Sequence, residues 1–182
     1  MCSDTTLVKQ IKSGSKKALG KLVERHKHSA YRLALGLVGN RDDAFDISQE
    51  AFLRVYRSAG TYDDEKPFLP WFYTIVSNLS RTWLRRRSSR DNRIVDLDDV
   101  SFLLVDESTP EKDILKRESI SQLRAALLEL SFEEREIITL QHFRCMSYNE
   151  IADLLGIPRG TVMSRLYYAR KRLAMLMRDS ND

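Results

Sequence analysis

Apolar residues recur along the chain at intervals of three and four, the spacing that lays a single stripe along an α-helix. Leu7, Val8 and Ile11 make one short amphipathic turn before Gly14. Ser15 then caps a long helix whose Leu19, Leu22, Val23, Ala30, Leu33, Ala34 and Leu37 share a side. Gly39 ends that helix, since the position after a last helical turn commonly takes positive φ. A third helix begins near Asn40, turns Ala44, Ile47, Ala51, Phe52 and Val55 inward to about Arg57, and is stopped by Gly60. After the polar stretch 61–66, Pro67 fits a first helical position, and Phe68, Phe72, Ile75, Val76, Leu79 and Trp83 form the next buried stripe. Together these segments predict a four-helix bundle over residues 1–90.

From residue 91 to 113 the pattern dissolves into Asp-rich sequence with one apolar island, Val100 to Val105, the character of a partly ordered linker. Helical spacing resumes at Pro110. Ser108/Glu111, Ser131/Glu134 and Ser147/Glu150 each have the Ser-x-x-Glu form of a capping box, in which serine and glutamate satisfy amides left open at a helix start. They predict helices starting near residues 109, 132 and 148, and a fourth follows Pro158. Alternating β-branched runs are absent, so the expected class is all-α: two small helical domains, 1–90 and 114–182, joined by the linker 91–113.

Charge sharpens that division. Residues 1–90 carry 17 basic and 9 acidic side chains, residues 91–114 carry 2 and 8, and residues 115–182 carry 11 and 9, within a net charge of +4. Two cysteines, Cys2 and Cys145, lie far apart without a CxxC pair, so neither a disulfide framework nor a zinc ribbon is expected. No apolar run approaches the roughly 20 residues that span a bilayer, and the N-terminus lacks a signal-peptide core. The expectation is a cytoplasmic protein with no stable membrane insertion.

The segment Ser147 to Leu166 has what two helices crossing steeply through a tight turn require. Ala152 is small where they approach, Gly156 supplies a positive-φ turn, and Ile151, Leu155, Ile157, Val162 and Leu166 fill the space between. This predicts a helix-turn-helix. On its second helix Val162, Leu166, Ala169, Leu173 and Leu176 share one stripe. Ser164, Tyr167, Tyr168 and Lys171 then lie opposite, with Thr161 and Arg165 on the flank. The span Arg159 to Arg178 holds six basic residues and no acidic one. A solvated basic helix would account for that charge alone, but placed after this turn it points to the major groove of duplex DNA. Ser164 and Arg165 are placed for base edges, and Arg159, Lys171 and Arg172 for phosphates.

A second positive cluster, Arg81, Arg85, Arg86, Arg87 and Arg90, closes the helix that follows Pro67, with Asn78 on the face of Arg81 and Arg85. Among these cations stand Tyr56, Tyr62, Phe68, Trp71, Phe72, Tyr73 and Trp83. Cations interleaved with aromatics suit single-stranded DNA, whose bases stack while its phosphates need charge. Phe72 and Trp83 lie on the buried stripe and are expected in the core. Trp71, Tyr73 and Tyr62 stay open between packing and stacking.

With these motifs in place, the chain resembles the extracytoplasmic-function sigma factors of the sigma-70 family, the smallest type of bacterial RNA polymerase specificity subunit. The resemblance runs from Leu19 to Leu176. The segment Asp43 to Arg57 is similar to the family's core-polymerase-binding helix, Pro67 to Arg87 to its promoter-opening and −10-reading segment, and Leu123 to Leu173 to its −35-reading domain. The string Gly160-Thr161-Val162-Met163-Ser164-Arg165-Leu166 is the most specific. The resemblance implies a polymerase-docking face of Asp46, Gln49, Glu50 and Arg54. It implies a −10 and melting set of Tyr62, Trp71, Asn78, Arg81, Arg85 and Arg86, and a −35 set of Arg159, Thr161, Ser164, Arg165, Tyr168, Lys171 and Arg172. It also implies a separate anti-sigma protein as a partner, with no cofactor and no metal. In stretch 61–66, which matches the family's loop for a flipped-out base, Asp63, Asp64 and Glu65 make an acidic departure. Met163 and Tyr168 stand where relatives often carry basic residues, so the upstream base preference is this chain's own.

Two other readings compete. A dimeric regulator that binds an operator through the same helix-turn-helix leaves the arginine-rich helix and the Asp46 to Arg54 face without a role. An enzyme needs a nucleophile with a base, or a full metal set. His26 and His28 point to different faces of a helix, the cluster Asp42, Asp43 and Asp46 offers only carboxylates, and His142 and Cys145 lack two further ligands.

Overall fold

The computed structural model describes residues 3–88, 121–144 and 146–179. The expected linker, the helix start at 109, Arg90 and Cys145 lie outside them, as does the side chain of His142. Helix α1 (Asp4–Lys12) is a full helix where the sequence suggested one turn; Ser3 caps it by accepting from the Thr6 amide. α2 (Lys16–Val38) starts at Ser15, whose side chain accepts from the Ala18 amide, and stops at Gly39, whose φ of 74° belongs to the left-handed region. α3 (Arg41–Ser58) is capped by Asn40 and runs into the 3-10 turn Ala59–Thr61. α4 (Phe68–Ser88) begins one residue after Pro67. Residues 121–129 form α5, followed by α6 (Phe132–Arg144), α7 (Tyr148–Leu155) and α8 (Arg159–Asp179). No strand occurs among the described residues.

Leu7, Leu22, Leu33, Leu37, Val55, Phe72 and Val76 are fully enclosed where α1 to α4 converge. The Phe72 ring lies 4.9 Å from that of Phe52 and stacks 5.3 Å from Phe68. His26 belongs to this assembly rather than to a metal site: its Nε2 is 2.9 Å from Asp4 Oδ2 and its ring 5.4 Å from Phe68. The core continues without a break into the C-terminal half, where Ile137, Leu140, Ile151, Val162, Leu166 and Ala169 join α6, α7 and α8.

The two halves meet along α2. Gly36 faces Thr139 of α6 so closely that an added Cβ would come within 3.0 Å of the Thr139 methyl, and Gly39 lies against the Leu128 side chain. The last carbonyls of a helix have no partner within it and carry the negative end of its dipole. Here cations from the C-terminal half take that position. Arg135 Nη1 donates to Leu37 O, while its Nη2 donates at 3.0 Å to both Leu128 O and Leu130 O. Arg124 Nη2 donates to Gly39 O. Burial lowers the pKa of both guanidiniums, joined at Arg124 by the Arg41 charge, and both stay charged at neutral pH because arginine starts from so high a value.

Candidate nucleic-acid interface

The helix-turn-helix is built by short-range chemistry. The Ser147 amide donates to Glu150 Oε2 at 2.8 Å and the Glu150 amide donates to Ser147 Oγ at 3.3 Å, closing the capping box that starts α7. The bond from the Ser147 amide, helped by the Ser147 hydroxyl, stabilises the carboxylate and pulls the Glu150 pKa down. Gly156 ends α7 at φ 64°, and the Ile157 amide returns to Ala152 O at 3.1 Å. Pro158 O then accepts from the Thr161 and Val162 amides at 2.9 and 3.1 Å, opening α8. Val162, Leu166 and Ala169 are buried, so the outer face carries Arg159, Met163, Ser164, Arg165, Tyr167, Tyr168, Lys171 and Arg172, all exposed, with Thr161 half-buried. Polar groups on this face and beside it have partners in the protein. Ser164 Oγ donates to Thr161 O at 3.1 Å, Arg170 Nη2 donates to Gln141 Oε1 at 2.8 Å, and Arg172 Nη1 lies 3.6 Å from Glu134 Oε2.

In the N-terminal half, α3 and α4 border a groove of about 630 Å³ lined by Asp46, Gln49, Glu50, Leu53, Arg54, Asn78, Trp83 and Arg86. Residues expected to dock polymerase and residues expected to touch −10 DNA thus share one cleft. Asp46, Gln49 and Arg54 are exposed, and Glu50 is half-buried with its carboxylate 3.3 Å from Arg54 and 3.5 Å from Arg57. The sequence reading missed the apolar residue of this surface, Leu53, which is exposed; Phe45 and Tyr56 are exposed elsewhere on α3. Leu53 was readable, because it falls four residues after Gln49 on a row otherwise polar.

Other members of the expected −10 set have partners inside the protein. Tyr62 is buried, a correction to its expected place against DNA: its hydroxyl donates to Lys66 O, its carbonyl accepts from Lys12 Nζ at 2.8 Å, and its ring lies 4.9 Å from Trp71. It therefore holds the 61–66 stretch in shape from within. Trp71 is half-buried beside it, and Tyr73 is buried. The acidity of this stretch is partly neutralised, since Asp64 lies 2.8 Å from Lys12 and Asp63 3.7 Å from Lys66. Asn78, Arg85 and Arg86 are exposed on α4. Arg81 reaches across to α6, with NH groups 3.3 Å from Glu133 and 3.1 Å from Glu136 and its guanidinium over the Phe132 ring at 4.6 Å. Arg87 is 2.6 Å from Asp43. Among the described residues no group of three His, Cys, Asp or Glu side chains is placed to hold a metal, and no helix is long and apolar enough to cross a membrane.

A basic helix-turn-helix packed against a helical bundle with an arginine-rich fourth helix defines a DNA-reading protein of two parts. Residues 22–90 match the family model of Sigma-70 region 2, and residues 120–173 that of Sigma-70, region 4. The ECF RNA polymerase sigma-E factor of Haemophilus influenzae is 32% identical over 177 residues, spanning 94% of this chain and 93% of that one. The solved structure of CnrH in complex with the cytosolic domain of CnrY is 26% identical and superposes with a TM-score of 0.70, covering 98% of this chain and 99% of that one. The sigma factor RpoE of Bartonella quintana, solved in complex with the anti-sigma factor NepR, gives a TM-score of 0.71 at 22% identity over 89% of this chain and 98% of that one. The chain belongs to the extracytoplasmic-function sigma factors of the sigma-70 family. It is an alternative sigma factor acting in transcription initiation.

Proposed function

We propose that this sigma factor docks core RNA polymerase through the α3 face of Asp46, Gln49, Glu50 and Arg54 together with Leu53. It reads a duplex −35 element with the outer face of α8, and engages the melted −10 element with α4 through Asn78, Arg85, Arg86 and a released Arg81. The observation that carries this reading is the shared α3/α4 groove, where the docking face and the exposed α4 residues Asn78 and Arg86 border one cleft. A dimeric operator-binding regulator has no use for such a cleft. The working division is 1–90 for polymerase and −10 contact, 91–113 for the tether and 114–182 for the −35 contact. The protein acts in the cytoplasm, where polymerase is, and catalyses no reaction itself. A separate anti-sigma protein restrains it by covering its polymerase-binding and DNA-binding faces, the exposed Leu53 of the α3/α4 groove among them.

The test is run-off transcription with purified protein and sigma-free core polymerase on a genomic library. Transcripts starting downstream of a common pair of elements are expected, and none above the core-only background would sink the proposal.

A further inference from the structure

The recognition helix exposes a surface of unusual chemistry for a DNA reader. Among its exposed side chains are three large hydrophobic ones: Met163 is 50%, Tyr167 62% and Tyr168 64% exposed. Met163 and Tyr167 are one turn apart and therefore form a single row. With Tyr148 and Leu166 they line a shallow depression of about 540 Å³ whose rim carries Arg170 and Lys171. On the same face the Ser164 hydroxyl donates to Thr161 O at 3.1 Å. A thioether and a single phenolic hydroxyl lack the two-pronged donor and acceptor sets with which Arg, Asn or Gln distinguish guanine or adenine. In the major groove one base alone offers an apolar group, the C5 methyl of thymine.

We propose that Met163 and Tyr167 read thymine, by van der Waals contact with its C5 methyl group, at one or two A·T pairs of the upstream duplex element. This rests on α8 being the −35 reader. The cations Arg170 and Lys171 beside the depression favour a polyanionic duplex over an apolar protein surface as the occupant, because phosphates flank the bases of a duplex. The apolar row supplies what they lack, discrimination between bases.

The test uses full-length protein bound to core polymerase and duplexes selected from a library randomised over the upstream element. In each selected duplex, thymine is replaced one position at a time by uracil, which keeps every hydrogen-bonding group and lacks only the methyl. Loss of one methyl contact is expected to weaken binding about fourfold at one or two positions. The same replacement should leave Met163→Ala or Tyr167→Ala holoenzyme unaffected, as a double-mutant cycle requires. Both side chains are exposed, and unchanged thermal melting of the variants confirms that they fold. Specific binding that tolerates uracil everywhere, or a uracil penalty unchanged in both variants, overturns the proposal while leaving α8 as the −35 reader. Uracil tolerance combined with loss of an anti-sigma or polymerase contact in the variants assigns the row to a protein instead. If no duplex is selected at all, the −35 reading falls with it.

Discussion

Arg81 of α4 and Glu136 of α6 meet across the seam between the halves of the molecule, with Nη2 of one 3.1 Å from Oε2 of the other. The arginine is half exposed while the glutamate is nearly enclosed. Burial raises the Glu136 pKa above its ordinary 4.5, against the opposing pull of Ser77 and Arg81. An acid whose folded pKa is raised favours the folded contact in its protonated form. The stabilisation is complete below the ordinary carboxylate pKa and is lost as pH rises through the raised value. Glu136→Gln should therefore melt at a higher temperature than the native protein at pH 7, and the difference should vanish as pH falls toward 4.5. Thermal unfolding at a series of pH values reads this directly; a variant that melts lower throughout would show that the ion pair outweighs the cost of burial.

Arg135 tests the seam from the other side. Its guanidinium serves Leu37 O, Leu128 O and Leu130 O from a buried position. Arg135→Ala strands those carbonyls and is expected to cost about 3 kcal/mol, measured as a lowered urea midpoint.

Two glycines with similar backbones should respond differently. Gly39 and Gly156 both sit at positive φ, 74° and 64°. Alanine at either costs roughly 1–2 kcal/mol in backbone strain. At Gly39 alone the new methyl also runs into Leu128, whereas at Gly156 it meets nothing within 4 Å. Chemical denaturation should rank Gly39→Ala as the less stable variant.

On α8 the division between phosphate and base contact is open to salt titration. Lys171→Ala should weaken binding to all duplexes alike and reduce the slope of log K against log salt by about 1. Arg165→Ala should cost about 1–3 kcal/mol and relax the preference at one base pair. Equal loss on specific and random DNA for both variants would reassign Arg165 to a phosphate.

Polymerase docking is tested at Leu53, which is 47% exposed and borders the α3/α4 groove. Leu53→Asp should leave the melting temperature nearly unchanged and reduce co-migration with core polymerase at least tenfold. Retained binding would move the docking surface elsewhere.

How far the sequence foretold these features depends on the separation of the interacting residues. Ser15, Gly39, the Ser147/Glu150 box, Gly156 and the Val162 to Ala169 stripe were all legible, because capping, turning and stripe formation are decided within a few residues. Tyr62 was not. Whether its ring faces a base or the interior is fixed by Lys12, 50 residues away, and by Trp71. Arg81, expected from the sequence beside −10 DNA, pairs in the structure with a helix whose contacting glutamate lies 55 residues further on. Gly36 gave no signal at all, because periodicity registers side chains, and its contribution to the seam is the lack of one.

The seam has a property that an apolar core lacks. It is held in part by Arg124, Arg135 and Glu136 meeting carbonyls and an opposite charge. Apolar packing tolerates small slips, whereas a guanidinium aimed at particular carbonyls accepts one alignment only. The seam therefore acts as a key along α2, fixing the angle at which the two ends of the molecule face outward.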